Sequence, residues 1–208
     1  RADWNGKTMV VTGTSMGGAR PKATVEHEDR LWLAKFPERT DRMNLQRIEF
    51  ATLDLARRCG INTCRSRLER VGRRDVLMLE RFDRQRSGAG YLRLGFVSAL
   101  TVLDAEDGYF GRDSWSYPKL ADQLRRWSIR PKQDCIELYR RMVFNAAVTN
   151  NDDHPRNHAL LRHEDGWRLS PGYDMVPAPL TSLEHRDLAL TVGAHGRTAR
   201  VYNLLAPS

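Results

Sequence analysis

Asp152 and Asn157 stand five residues apart with Pro155 between them, and Asp174 follows after two short apolar runs joined by Glu164-Asp165-Gly166. Proline lacks the backbone donor that a helix interior needs, so the Asp-to-Asn stretch is read as a loop whose two side chains can converge on one spot. A loop carboxylate, an amide five residues on, a hairpin and then a second carboxylate is the order used by phosphoryl-transfer enzymes of the protein-kinase type. In that chemistry the first Asp takes the proton of the attacking hydroxyl, and the Asn and the later Asp hold Mg²⁺ against ATP phosphates. One amide and one carboxylate suffice as protein ligands because Mg²⁺ takes hard oxygens and fills its shell with phosphate and water. The competing reading is a solvated loop that ends a helix, since Asp and Asn are common in turns.

The elements that must position these groups lie on both sides of them. Upstream, residues 136, 139, 143 and 147 (Ile, Tyr, Val, Ala) predict an apolar helix face over 134 to 148, which breaks into six polar residues from 149 to 154. Downstream, residues 159 to 161 and 167 to 169 predict a β-hairpin that delivers Asp174. Residues 114 to 130, with Tyr117, Leu120, Leu124 and Trp127 at helical spacing, predict a second scaffold helix.

The first part of the chain reads as β-rich. Residues 8 to 12 predict a strand, and Gly13-Thr14-Ser15-Met16-Gly17-Gly18-Ala19-Arg20-Pro21-Lys22 follows at once. Glycines there let backbone N–H groups approach phosphate oxygens. The Gly-Lys-Ser/Thr of the Walker pattern is missing. A hairpin about Glu28-Asp29 comes next, and its second strand carries Lys35 among apolar residues, either as an edge lysine or as a partner for an anion. Residues 44 to 59 predict a helix with Leu45, Ile48, Thr52, Leu55 and Cys59 on its apolar face and Gly60 at its end. Glu49, beside that face, is the candidate partner for Lys35. Strands over 63 to 71 and 75 to 82 meet at Gly72-Arg73-Arg74 and run to Glu80 and Phe82, where a hinge between a β-rich and an α-rich half could hold an adenine.

Composition sets bounds. The 208 residues are 40% hydrophobic with a net charge of +8, enough for one good-sized domain or two small lobes. The arginines are scattered, which suits a solvated basic surface or an anionic partner. Cys59, Cys64 and Cys135 are three, without zinc spacing, so reduced thiols in a cytoplasm are expected. No apolar run reaches the length of a membrane span, so no membrane partner is expected. The chain starts at Arg1 and stops in what reads as an unfinished element, so a fragment is expected. His185-Arg186-Asp187 spells a kinase catalytic triplet, but Val192 stands where a metal-binding Asn would be needed, and residues 188 to 192 predict a strand instead.

Taken together, residues 15 to 22, 33 to 36, 79 to 83, 151 to 157 and 169 to 177 resemble, in order, the HipA-like family of bacterial serine/threonine kinases, the toxins of type II toxin-antitoxin pairs. The resemblance implies an α+β, two-lobed protein-kinase-like fold, with a β-rich N-lobe over 1–84 and an α-rich C-lobe over 85–208. It implies ATP and Mg²⁺ as cofactors, Asp152 as catalytic base, and Asn157 and Asp174 as metal ligands. Ser15, Gly17, Gly18, Lys22, Lys35, Glu80, Phe82, His154 and Arg156 are the implied nucleotide-binding positions, and Ser15 the implied site of autophosphorylation. It further implies a protein substrate such as an aminoacyl-tRNA synthetase, and a DNA-binding antitoxin through which alone DNA would be reached. Members usually carry a small subdomain before the Gly-rich loop and further helices beyond the point where this chain stops. A phosphoinositide-kinase-like lipid kinase and a non-catalytic nucleotide- or DNA-associated module are the alternatives.

Overall fold

Alternating burial and tight turns build the first half of the chain as a twisted antiparallel sheet. The computed structural model describes residues 2–4, 7–13, 20–178 and 186–206, so Ser15, Gly17 and Gly18 of the expected phosphate loop lie outside the described residues. Strands β1 (Ala2–Trp4), β2 (Lys7–Gly13), β3 (Lys22–His27), β4 (Arg30–Lys35), β5 (Ser66–Val71) and β6 (Arg74–Glu80) pair in the order β1-β2-β3-β4-β6-β5. The β3–β4 hairpin turns at Glu28 and Asp29, with φ of 52° and 56°. Positive φ at both turn residues matches the twist of the flanking strands.

Helix α1 (Leu45–Arg58) crosses one face of this sheet. Asn44 caps it by accepting from the Arg47 N–H, and Gly60 leaves it at φ 78°. Strand β6 is central and buried on both faces: Val76 and Met78 pack with Val25, Trp32 and Ala34, while Leu77 and Leu79 pack with Leu53 and Ala56 of α1. The buried face of α1 is Gln46, Glu49, Thr52, Leu53 and Ala56. It is rotated from the stripe that the sequence suggests, for Leu55 is 48% exposed and Cys59 is exposed. Contacts of Leu53 and Ala56 with the sheet, and of Glu49 with a lysine on β4, set the rotation.

The second half adds hairpin β7 (Arg84–Ser87) and β8 (Gly90–Arg93), which the glycines at 88 and 90 permit but which the sequence reading did not anticipate. Strand β9 (Phe96–Ser98) joins β10 (Ala159–His163) and β11 (Gly166–Leu169) in a three-stranded sheet, so the expected 159–169 hairpin gains a partner. Helices α2 (Ala99–Val102), α3 (Tyr117–Trp127) and α4 (Pro131–Val148), short 3₁₀ turns at Tyr109–Ser114 and Pro155–Asn157, and α5 (Val201–Leu205) complete it. Leu120, Leu124, Leu138, Met142, Leu160, Leu190 and Val192 form its core. Residues 188–192 contribute buried side chains, but they bond only through isolated bridges such as Ser116 to Thr191, rather than as a strand.

Helix α4 is also turned from its expected phase. Ile136 and Tyr139 are 43% and 37% exposed, while Leu138, Met142, Phe144 and Ala146 are buried together with Asp134, Arg141 and Asn145. Each buried polar group has its own purpose in the packing. Asp134 receives Arg168 at 2.7 Å, Ser128 Oγ at 2.6 Å and the Leu169 N–H at 2.9 Å, which ties the start of α4 to β11. No helix among the described residues is long and apolar enough to cross a membrane.

The rotation of α1 is measurable. Leu53→Ala, at a fully buried site, is expected to lower stability by about 2 to 5 kcal/mol, and Leu55→Ala by less than about 0.5 kcal/mol. Urea unfolding of the two variants checks this; equal losses would contradict the helix phase.

Candidate active site

Strand alternation puts Trp32 and Ala34 on one face of β4 and sends Lys35 to the other, where α1 lies. There Lys35 Nζ donates to Glu49 Oε1 at 2.8 Å and Oε2 at 3.0 Å, and to Asp174 Oδ1 at 2.7 Å. One ammonium thus joins strand β4, helix α1 and the segment after β11. Burial works against the charge on Lys35, but Glu49 and Asp174 outweigh it and hold the ammonium above the usual lysine range. Burial likewise raises the Asp174 carboxyl, yet Lys35, helped by Lys22, pulls it below the usual carboxylate range. Burial pushes the Glu49 carboxyl up against the pull of Lys35. Lys22 sits directly across from Lys35 in the β3–β4 register, an arrangement of like charges that favours anions between the strands and α1.

Asp174 is held in an unusual backbone state, at φ 57°. A non-glycine residue in the left-handed region costs of order 1 kcal/mol or more and persists only where its surroundings fix it. Those surroundings are on hand. Gly172 bridges to Thr63 in parallel fashion, its N–H bonds Asn62 O at 2.7 Å, and its carbonyl accepts the Cys64 N–H at 2.9 Å. Arg141, fully buried, donates to Ser170 O at 2.7 Å and pairs with Glu137 at 2.9 Å. A Cβ on Gly172 would lie 2.6 Å from Met175 Cε, so the segment passes where only glycine fits without a shift.

The loop after α4 is closed on itself. Thr149 ends the helix in the left-handed region, and the Asp152 carbonyl accepts from the His154 N–H at 2.9 Å and from Asn157 Nδ2 at 3.1 Å. Asn157 is 6% exposed. With its nitrogen committed to Asp152, the free atom of its amide is the oxygen. The Asp152 side chain itself is exposed. Asp174 keeps 45% of its side chain exposed, with Lys35 taking Oδ1. A carboxylate oxygen and an amide oxygen are the donors a hard cation prefers, and a partly filled shell leaves room for phosphate oxygens and water. No group of three or more His, Cys, Asp or Glu that could hold a metal ion occurs among the described residues.

The polar run at 149 to 154 is not the simply solvated loop of the competing reading. Asn150 and Asp153 are 1% and 2% exposed. Asp153 accepts from Tyr117 Oη and bonds His158 Nε2 at 2.9 Å, while Asn150 Nδ2 bonds Asn145 Oδ1 at 3.1 Å and Asn145 reaches Tyr117 Oη at 3.4 Å. Burial would raise the Asp153 carboxyl, but His158 and Tyr117 keep it low. Sequence reasoning missed this network and treated α3 and α4 as apolar scaffold. The signal was Tyr117 on the buried stripe of α3, because a buried phenol needs a partner.

Other expected positions lie further out. Arg156 pairs with Asp107 at 2.6 Å on the surface, and its carbonyl accepts from Tyr173 Oη at 2.8 Å. The His154 ring packs against Trp115 at 6.4 Å, and its Nδ1 has no hydrogen-bond partner among the described residues. The Phe82 N–H bonds the Glu80 carbonyl at 3.0 Å, Glu80 pairs with Arg30, and the Phe82 ring lies 5.8 Å from Tyr173, beside Asp174. Asp187 of the decoy triplet bonds Thr198 Oγ1 at 3.2 Å.

Residues 14–206 match the family model described as the HipA-like C-terminal domain. A Sinorhizobium fredii protein named "Putative kinase Y4mE" is 28% identical over 148 residues, covering 69% of this chain and 34% of its own length. The Shewanella oneidensis serine/threonine-protein kinase toxin HipA is 26% identical over 161 residues, covering 69% of this chain and 36% of its own length. The chain therefore spans about a third of the length of the curated relatives it matches. Among solved structures, Shewanella oneidensis HipA, in complex with HipB and operator DNA, superposes with a TM-score of 0.68 at 21% identity over 98% of this chain and 54% of that one. The Helicobacter pylori proinflammatory kinase CtkA superposes at 0.63 with 16% identity, over 81% of this chain and 58% of that one. The fold is that of a two-lobed kinase.

Removing Lys35 strands a buried Glu49, which gives a stability change with a defined sign. Lys35→Met leaves an acid whose folded pKa lies above its unfolded value. Its stability is then full below about pH 4.3 and declines as pH rises through the folded value. Relative to the parent, Lys35→Met is expected to lose about 3 to 5 kcal/mol near pH 8 and much less at pH 5. Adding Glu49→Gln should remove the pH dependence. Thermal unfolding across this range decides, and a pH-independent loss would contradict a stranded carboxylate.

Proposed function

The chain belongs to the HipA-like C-terminal domain family, and we propose that it is the catalytic core of an ATP-dependent serine/threonine protein kinase. The reading rests on one observation above others: Lys35 joins Glu49 and Asp174 while the closed loop presents Asp152 and the Asn157 oxygen. In it, residues 1–84 form the N-lobe and 85–208 the C-lobe. Lys35 and Lys22 bind the phosphates, Glu80 and Phe82 meet the adenine, and Ser15, Gly17 and Gly18 belong to the loop over the triphosphate. His154 and Arg156 serve the same site from the catalytic loop, His154 through its unpartnered Nδ1.

Asp152, exposed and with no cation on its carboxylate among the described residues, accepts the proton of a serine or threonine hydroxyl as that oxygen attacks phosphorus. Asn157 Oδ1 and the Asp174 carboxylate would hold Mg²⁺, which would supply positive charge against the phosphates. Lys35, already fixed by Glu49, needs little reorganisation to bind phosphate oxygens, and preorganised charge is the main source of stabilisation in such reactions. The family and the HipB–DNA complex of the Shewanella relative support a DNA-binding antitoxin as partner, with DNA reached only through it. The resemblance of the sequence motifs, rather than that complex, points to a protein substrate such as an aminoacyl-tRNA synthetase.

Asp152→Asn is expected to reduce phosphoryl transfer from labelled Mg·ATP by roughly 10² to 10⁴ with nucleotide affinity nearly unchanged. Parallel loss of affinity, measured by calorimetry, would count against a base.

Ser15 is the expected site of self-phosphorylation, and the modified loop is expected to reject ATP. A phosphoserine adds about −1.5 to −2 charges. One like-charge pair about 4 Å apart costs roughly 4 kcal/mol at an effective dielectric of about 20. Half of that weakens binding about 30-fold. Mass spectrometry after Mg·ATP treatment should place the phosphate on Ser15, and the modified protein should bind ATP weakly; phosphate on Thr12 or Thr14 would sink the idea.

A further inference from the structure

A second charged concavity lies at the N-terminal end of α1, one turn before Glu49. A cleft of about 550 Å³ is bordered by the 37–44 loop, the start of α1 and the β5–β6 turn. Its acids are mostly spoken for: Asp41 is paired with Arg20 at 2.9 Å, and Asp75 with Arg47 at 2.6 Å, Arg70 at 3.5 Å and Asn44 Nδ2 at 2.5 Å. Its other arginines are not. Arg39, Arg42, Arg73 and Arg74 line the cleft, are exposed, and make no ion pair with any described residue. Glu38 is the one lining acid that no described cation neutralises. Four guanidinium groups from two separate loops face one space with little to balance them.

A second, independent observation comes from inside the wall. Gln46, 4% exposed and in the first turn of α1, leaves Oε1 buried with no hydrogen-bond partner. An unsatisfied buried acceptor is rare enough in folded proteins to call for a donor from elsewhere. Met43 adds an apolar rim at 50% exposure.

These features select a ligand chemistry. A carboxylate satisfies one arginine fork, whereas a phosphomonoester offers about two charges and three acceptor oxygens to several. A nucleic-acid backbone offers phosphates but no N–H to Gln46 Oε1, and a peptide backbone offers one in every residue except proline. The start of α1 adds the positive end of a helix dipole on the same side. We infer that this cleft docks a phosphorylated peptide segment of a partner protein, with Arg39, Arg42, Arg73 and Arg74 on the phosphate and Gln46 on the peptide backbone. Lys35, Glu49 and Asp174 do not line the cleft, and the inference does not depend on kinase activity. The cleft lies on the helix that carries Glu49.

The test is direct binding without nucleotide. Fluorescence anisotropy of this chain with a labelled peptide mixture, central phosphoserine and randomised flanks, is compared with the same mixture bearing serine, and with duplex DNA and oligo(dT). The phosphorylated mixture should bind at least about tenfold tighter than the serine mixture. Arg42→Glu with Arg73→Glu should abolish the preference. Arg73→Ala with Arg74→Ala, both with exposed side chains at the β5–β6 connection, should weaken it about tenfold or more, and Gln46→Leu should weaken it a few-fold. Equal binding of the two mixtures overturns the proposal, as does a preference that survives the arginine substitutions. Tighter binding of either oligonucleotide, lost in the same variants, overturns it in favour of a nucleic-acid site.

Discussion

Lys35, held by a buried glutamate on one side and a half-exposed aspartate on the other, is the contact on which the arrangement of this molecule depends. Two charges about 3 Å apart attract by roughly 5 to 6 kcal/mol at an effective dielectric of about 20, and removing them from water costs several kcal/mol per ion. The two nearly cancel. The assembly therefore contributes little net stability, and its value lies in specifying geometry: it sets the rotation of α1, the side of β4 that faces inward, and the placement of the chain after β11. The left-handed backbone at Asp174 is local strain that the surrounding structure holds in place to complete it.

Around this contact the polypeptide divides its polar groups by task. Asp153, Tyr117, His158, Asn145 and Asn150 are spent on one another beneath the loop, and Arg141 on carbonyls of the segments beside it. Their neighbours Asp152 and Asn157 are bonded through the Asp152 carbonyl and keep a carboxylate and an amide oxygen available. Most groups of this buried network are paired, and a loop held from beneath is what a positioned base requires.

Much of this was legible in the sequence, for reasons that can be named. The Glu28-Asp29 turn, the Asn44 cap and the Gly60 stop of α1, and the 159–169 hairpin follow from local rules of turns, caps and alternation. Glu49 was a candidate partner for Lys35 through its place on the predicted helix, and the pair is present. Helix phase was not legible. Both α1 and α4 carry apolar residues on their outer faces and polar residues on their inner ones, because Glu49, Arg141 and Asn145 are satisfied by contacts distant in sequence, which periodicity cannot register. The burial of Asp153 was hidden for the same reason. The β7–β8 hairpin, largely exposed and arginine-rich, has little apolar alternation from which to be read.

The account stands or falls on whether Asp174 serves a metal that comes with the nucleotide. Calorimetric titration of ATP at increasing magnesium, for the parent and for Asp174→Ala, tests this most directly. We expect parent affinity to rise steeply with magnesium, and Asp174→Ala to bind ATP weakly and independently of it, with Lys35 still paired to Glu49. An unchanged magnesium dependence in Asp174→Ala would make that residue a turn aspartate that happens to meet a lysine, and would contradict the account.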